Sequence, residues 1–382
     1  MDFELDTEQQ ALRDAVRDLL SSLYGSIDGR RTATADDPGW DEEMWKRLAE
    51  MGVLGLPFDE ADGGMGAGPA EVALVAEEFG RCLAPEPFVE AVVLAGGLVA
   101  EAGDAEQRAQ ILSGISDGSM VPAFAHLEAG GSWDELAGAV VARQEGDGWV
   151  LDGLKEPVLN GARADVLVVS ALVDGRVVLF LVDADAAGLE RVGYATYDGG
   201  RAARVTFTST PATALGDPQV DAMDRVRTVY AQAQVAYCHE AVGAMDAALA
   251  MTTAYLKTRK QFGVPLKSFQ DLSFRAADMY VSLELARSVA LWATLVLADA
   301  QDAAAALDAA ARAKLQVSVA GRHIGKEAIQ LHGGIGMTAE YAVGHYTARL
   351  TLIDHLLGDG SHQLTRLAAG IGEYDVVDPL DP

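Results

Sequence analysis

Apolar positions follow three textures along the chain, and the changes fall near residues 120 and 215. In the first stretch they recur at helical spacing. Leu12, Val16, Leu19 and Leu20 share one face of a helix predicted over 8–20, with Thr7 as its N-cap. Trp45, Leu48, Met51 and Val53 make a second stripe, closed by Gly52. The glycine-rich segment from Gly55 to Gly68 holds no Lys or Arg and follows no strand, so it reads as a connector rather than a phosphate cradle. Further helices are predicted over 72–82, 91–100 and 105–115. Between 120 and 215 the pattern is strand-like. Two runs meet at Glu145–Gly148, two more turn at Asp174-Gly175, and Val205 to Thr208 reads as another strand. From Asp221 onward long helices return, over 221–258, 274–300 and 302–331, with apolar faces too broad for exposed surface. They predict a four-helix bundle that also packs against other subunits. The expected fold is α+β, mostly α: an N-terminal helical domain (1–120), a small antiparallel β domain (121–215) and a C-terminal helical bundle (216–382).

Charge and composition narrow the function. A net charge of −28 opposes binding to nucleic acid or anionic membrane surfaces. Cys82 and Cys238 make no disulfide framework, which predicts a cytoplasmic protein. The N-terminus is charged from its second residue and reads as neither signal nor transit peptide. The longest apolar runs stop well short of the roughly 20 residues that cross a bilayer, so no membrane span is expected.

The candidate chemistry lies between Arg322 and Arg366. Gly333, Gly334 and Gly336 end one helix, and Gly358 and Gly360 flank a lone acid, Asp359, before another. Glycine permits positive φ and close backbone approach, so this order suggests a ligand lying across helix ends; capping explains the first cluster equally well. Five of the seven histidines fall between His323 and His362, but their spacings put no pair at i, i+4, which argues against a metal site. Cys238 and His239 are neighbours on a helix and point in different directions, so they form no nucleophile pair.

Several motifs fall in order. Arg259-Lys260-Gln261-Phe262-Gly263 is followed by Pro265-Leu266 and Phe269-Gln270, and Ala277-Asp278-Met279 by Ala286-Arg287. Gln330-Leu331-His332-Gly333-Gly334-Ile335-Gly336 precedes Thr338 and Glu340-Tyr341. Earlier come Asp2-Phe3-x-Leu5 and Glu77-Glu78-Phe79-Gly80-Arg81. Together these resemble the acyl-CoA dehydrogenase family over nearly the whole chain. The resemblance implies FAD as cofactor, an acyl-CoA thioester as substrate, α,β-dehydrogenation to the 2-enoyl-CoA, and an electron acceptor such as an electron-transfer flavoprotein. It assigns Arg259, Gln261, Phe262, Gln330 and Gly334 to the adenosine-pyrophosphate end of a neighbouring subunit's FAD, within a tetramer. Ser361 and Gln363 fit the cofactor-binding pattern, and Ser132 the substrate-binding one.

Two departures stand out. The family's Thr-Glu-Pro-x-Ala-Gly-Ser-Asp appears as His126-Leu127-Glu128-Ala129-Gly130-Gly131-Ser132-Trp133, and its Trp-Ile-Thr-Asn-Gly as Pro157-Val158-Leu159-Asn160-Gly161. Leu159 cannot donate the hydrogen bond that threonine gives the flavin ring. The family's Glu-Gly-Thr base segment is Asp359-Gly360-Ser361. Aspartate reaches about 1.3 Å less far, and a misplacement near 1 Å can cost about 10²-fold in rate. The alternative base position on the preceding helix is Ala233. The tail resembles a branch that works as α2β2 heterotetramers, in which one chain grips its partner's FAD. The alternatives are a self-sufficient homotetramer with Asp359 as base, a flavin oxidase or monooxygenase, and a non-catalytic assembly scaffold. Small residues at Ala231, Ala233 and Ala236 hint at a wide, ring-containing acyl group.

Overall fold

A computed structural model describes residues 5–130, 133, 138–146, 148–300, 302–370 and 372. Helix α1 (Thr7–Tyr24) starts one residue earlier than expected. Asp6, not Thr7, is the N-cap: its carboxylate accepts the Gln9 N–H at 2.8 Å, and the Gln9 carboxamide accepts the Asp6 N–H at 3.3 Å. Then come α2 (Ile27–Ala33), α3 (Glu42–Glu50) and α4 (Pro69–Cys82). The helix expected over 91–100 is a π-helix, Phe88–Gly96, that continues as α5 (Gly97–Ala102), followed by α6 (Ala105–Ser116).

The strands are β1 (Pro122–Ala125), β2 (Val141–Glu145), β3 (Gly148–Leu159), β4 (Val166–Val173), β5 (Arg176–Asp183), β6 (Leu189–Ala195) and β7 (Arg201–Ala214). Both expected hairpins are present, as β2/β3 and β4/β5. The sheet is mixed rather than purely antiparallel. With the β2–β3 hairpin lying between them in sequence, β4 returns beside β1 in the same direction, and β2 touches β4 in parallel at Val141 and Leu172. Because β5 pairs with both β4 and β7, the strands β4, β2, β3, β7 and β5 form a closed ring, with β6 hung on β7. Leu151, Leu167, Phe180, Val205 and Phe207 fill its separate core.

The chain then runs through α7 (Met223–Thr258), a short hairpin of β8 (Lys260–Gln261) and β9 (Val264–Pro265), α8 (Gln270–Asp299), α9 (Ala303–His332), α10 (Ala342–His355) and α11 (Gly360–Ala369). At 36 residues α7 is roughly 54 Å long, and it packs against α4, α8, α9 and α10, so the N-terminal helices and the bundle share one core. Its crossing with α4 is close enough to demand glycine from both sides. A Cβ at Gly80 would lie 1.7 Å from the Glu240 carbonyl oxygen, and one at Gly243 would lie 1.9 Å from that of Glu77.

A buried ion cluster ties the β-strand region to the helices. Arg349 on α10 reaches Glu240 on α7 at 2.6 Å and Asp198, in the β6–β7 loop, at 3.0 Å. Arg30 on α2 donates to the Asp198 carbonyl at 2.9 Å. Helix α8 keeps an outer apolar stripe of Phe274, Val281, Leu285 and Trp292 exposed. By length and composition α8 could cross a membrane, contrary to the expectation from apolar runs. Its charges are sparse, so its average stays apolar although no long run is uninterrupted.

Candidate functional site

Helix α7 ends at Arg259, whose backbone is extended, and the chain turns back on itself at once. Phe262 and Gly263 carry φ of 52° and 83°, the two positive values of a tight two-residue hairpin turn between β8 and β9. This turn puts Arg259, Gln261 and Phe262 on the surface, with Phe262 92% exposed. Phe262 meets Phe269 edge-on at 6.2 Å, so the rest of its ring faces outward from the hairpin.

The second motif sits beside the first. Gln330 is exposed on the last turn of α9, and Gly333–Met337 forms a 3₁₀ turn beyond it. Gly333 takes φ 65° and ψ −142°, a conformation open only to glycine, and a Cβ at Gly334 would meet nothing within 4 Å. Tyr255, His332 and Tyr341 lock the two motifs together: His332 lies 4.6 Å from Tyr255 and 4.9 Å from Tyr341, ring centre to ring centre. Their spacing in sequence carries no sign of this triad. It is legible only once α7 and α9 are side by side.

Asp359 lies elsewhere. Its carboxylate caps α11, accepting the His362 N–H at 2.8 Å. The loop before it is braced from below. Gln234 on α7 and Gln363 on α11 both donate to the Leu357 carbonyl, at 2.6 and 3.2 Å. Asp354 accepts the Gly360 N–H at 3.2 Å, and the buried Lys314 ammonium donates to the Ile353 carbonyl. Burial pulls that ammonium down to about 8, while Cys238, Asp354 and Asp359 act in the other direction. Gln363 is fully buried and braces the loop through its amide N–H, while Ser361 is exposed on the first turn of α11. Ser132 lies outside the described residues. Gln234 and Tyr255 mark the two sites along α7, and about twenty residues between them separate the sites by roughly 30 Å.

The third region surrounds Leu159. Pro157 occupies a bulge where the β3–β7 register shifts between Lys155 and Val158, the one kind of strand-interior position that tolerates proline. Leu159 and Asn160 line a cavity of only about 40 Å³ together with Trp40, Glu86, Glu90 and Arg349. Trp40 donates its indole N–H to Asn160 at 3.1 Å. Burial pushes the Glu86 carboxyl up to about 7, against the Tyr24 hydroxyl that donates to it. Nearby, Phe124 stacks on His126 at 5.2 Å, and both meet Tyr230 edge-on.

Comparison with known proteins agrees with this architecture. Residues 6–119 match the family model for the acyl-CoA dehydrogenase N-terminal domain, and residues 223–372 that for the acyl-CoA dehydrogenase C-terminal domain. The acyl-CoA dehydrogenase IpdE2 of Mycobacterium tuberculosis is 31% identical, over 96% of this chain and 98% of that protein. Among solved structures, a point variant of the Tcur3481-Tcur3483 steroid acyl-CoA dehydrogenase superposes with a TM-score of 0.87 at 33% identity, covering 96% and 98% of the two chains. The ChsE4-ChsE5 complex from Mycobacterium tuberculosis gives 0.89 at 26% identity, covering 98% and 100%. The chain belongs to the acyl-CoA dehydrogenase family. These are oxidoreductases acting on CH–CH bonds, with FAD as cofactor.

The two halves of a flavin site fit FAD unequally here. The exposed hairpin and the open glycine turn offer a cation, an aromatic face and backbone that a ligand can approach closely, which suits a dinucleotide pyrophosphate and adenine. The region of Leu159 offers an apolar side chain and a proline, neither of which donates a hydrogen bond to a ring.

Proposed function

We propose that this chain is the flavin-gripping, base-poor partner subunit of a heterotetrameric acyl-CoA dehydrogenase. In this reading Arg259, Gln261, Phe262, Gln330 and Gly334 hold the adenosine-pyrophosphate end of a FAD whose ring lies in the neighbouring chain. The observation that carries it is the unequal state of the two halves of the site. The grip stands exposed at one end of α7, while Pro157 and Leu159 bring no side-chain hydrogen-bond donor to the ring side and Asp359 is engaged as the cap of α11. Residues 1–120, 121–215 and 216–382 act as its three units, and the exposed stripe of α8 supplies apolar area for the subunit contact.

The partner chain then supplies the base and the ring pocket for α,β-dehydrogenation of the acyl-CoA, and an electron-transfer flavoprotein takes the electrons. The similarity to a steroid acyl-CoA dehydrogenase makes ring-bearing acyl-CoA thioesters the first substrates to assay. Cytoplasmic residence fits two buried free thiols. The test is Asp359→Asn in the co-purified tetramer. Turnover within twofold of wild type is the expected result, and loss beyond 100-fold makes Asp359 the base of a self-sufficient enzyme.

A further inference from the structure

Helix α7 separates the site above from a second cavity. Tyr230 and Gln234 face the β-strand region and the Leu357 loop. Gln232, Val235 and Ala236 lie on the opposite face and, with α4 and the π-helix, line a pocket of about 170 Å³ that opens to solvent at Glu101. Val72, Ala73, Val93 and Ala236 wall this cavity, and Glu101 and Gln232 bring polar side chains to it. An engineered apolar cavity of about 150 Å³ stays dry and binds benzene, so this volume suits a group of six to eight heavy atoms.

The space is built into the backbone. A π-turn holds more residues than an α-turn, and such turns recur at functional sites. Here the π-register runs for nine residues to Gly96, and at Gly97 just beyond it a Cβ would press on Val229 at 3.2 Å. Alanine and glycine at 67, 68, 73, 97, 100 and 236 keep the recess open where ordinary core packing would place larger side chains.

We propose that this cavity binds a compact uncharged alcohol, a ring or branched alkyl group of about seven heavy atoms, with its hydroxyl directed at Glu101 and Gln232. The charge pattern selects this class. A carboxylate ligand meets the exposed Glu101 and a net charge of −28. A cation gains little from a solvent-exposed carboxylate, whereas a hydroxyl donates to it at little desolvation cost. The inference stands apart from the reading of the flavin site, because its assays use neither flavin nor partner.

The experiment is titration of the full chain with cyclohexanol, followed by ligand-observed NMR and a crystal soak. Saturable binding with Kd on the order of 1 mM is expected, with cyclohexanol density between Ala73 and Ala236. Ala73→Leu and Ala236→Leu each fill the cavity and should weaken binding at least tenfold, with an unchanged or higher melting temperature. Two variants guard against one failing to fold. Cyclohexanecarboxylate should bind at least tenfold more weakly than cyclohexanol, and Glu101→Gln should narrow that gap. The proposal falls if wild type shows no saturable binding, if soaked density lies only elsewhere as an adventitious additive, if both folded variants bind like wild type, or if the carboxylate binds as tightly as the alcohol.

Discussion

Replacing Arg349 with methionine tests the joint between the β-strand region and the helices. Met keeps the length and apolar stem of the side chain and deletes its charge. The guanidinium, 14% exposed, reaches Glu240 at 2.6 Å, Asp198 at 3.0 Å and Glu90 at 3.8 Å. Removing one partner of a buried pair leaves uncompensated charge and costs about 3–5 kcal/mol; slight exposure and the nearby Arg30 bring the expectation to about 3 kcal/mol. In a chain this long, each kcal/mol moves the melting temperature by roughly 2 °C, so the variant should melt roughly 6 °C lower at pH 7.5 by calorimetry at one scan rate. The pH dependence gives a second readout. Burial alone would push Asp198 up, yet Arg349, the Thr196 hydroxyl and Arg30 hold it below its usual value. Its contribution in wild type is therefore present above its ordinary pKa and lost only as pH falls through the lower folded value. Burial raises Glu90 despite Arg349. Without Arg349, protonation relieves both acids sooner, so the deficit should shrink between pH 7.5 and 5.5. A loss below about 1 °C, or a deficit that widens on acidification, refutes the reasoning.

Glycine at two positions serves opposite purposes. Gly80→Ala drives a Cβ into the Glu240 carbonyl and should cost about 3 kcal/mol in thermal stability. Gly334→Ala meets nothing in the isolated chain and should stay within about 0.5 kcal/mol there, while weakening flavin retention in the assembled protein. Arg259→Ala should weaken flavin retention by about 1.5–3 kcal/mol, read by fluorescence after dilution of the tetramer; unchanged affinity excludes its phosphate role. Burial pushes the Cys238 thiol up to about 12, so native protein should leave it unlabelled by a thiol reagent that reacts fully in denaturant.

What could be read from residues alone followed from how plainly each segment is marked. The long helices were legible from their length and the absence of proline, and both hairpins from their turn residues, as at Asp174-Gly175. Strand β6 escaped because most of its residues are exposed on both faces, so no alternation marks it. Strand β1 is four residues, all buried, and too short to show a period. The π-helix escaped because Phe88 to Ala95 is almost continuously apolar, and a stripe on every face hides the difference between 3.6 and a wider turn. At the site, Phe262-Gly263 was recognisable as a motif, but its role as a two-residue turn that exposes the aromatic ring needed backbone angles. The capping role of Asp359 was open in the sequence, since an acid before a helix start suits a cap and a base alike; the bond to the His362 N–H shows the cap.

The central claim, that this chain grips a flavin whose ring belongs to another subunit, is tested most directly by flavin stoichiometry. The chain is purified alone and again after co-expression with an acyl-CoA dehydrogenase encoded beside it, and FAD per chain is measured from absorbance and protein mass. The account predicts no retained flavin for the chain alone and about one FAD per two chains in the complex. One FAD per chain in the protein purified alone, with its ring stacked at Leu159, contradicts it.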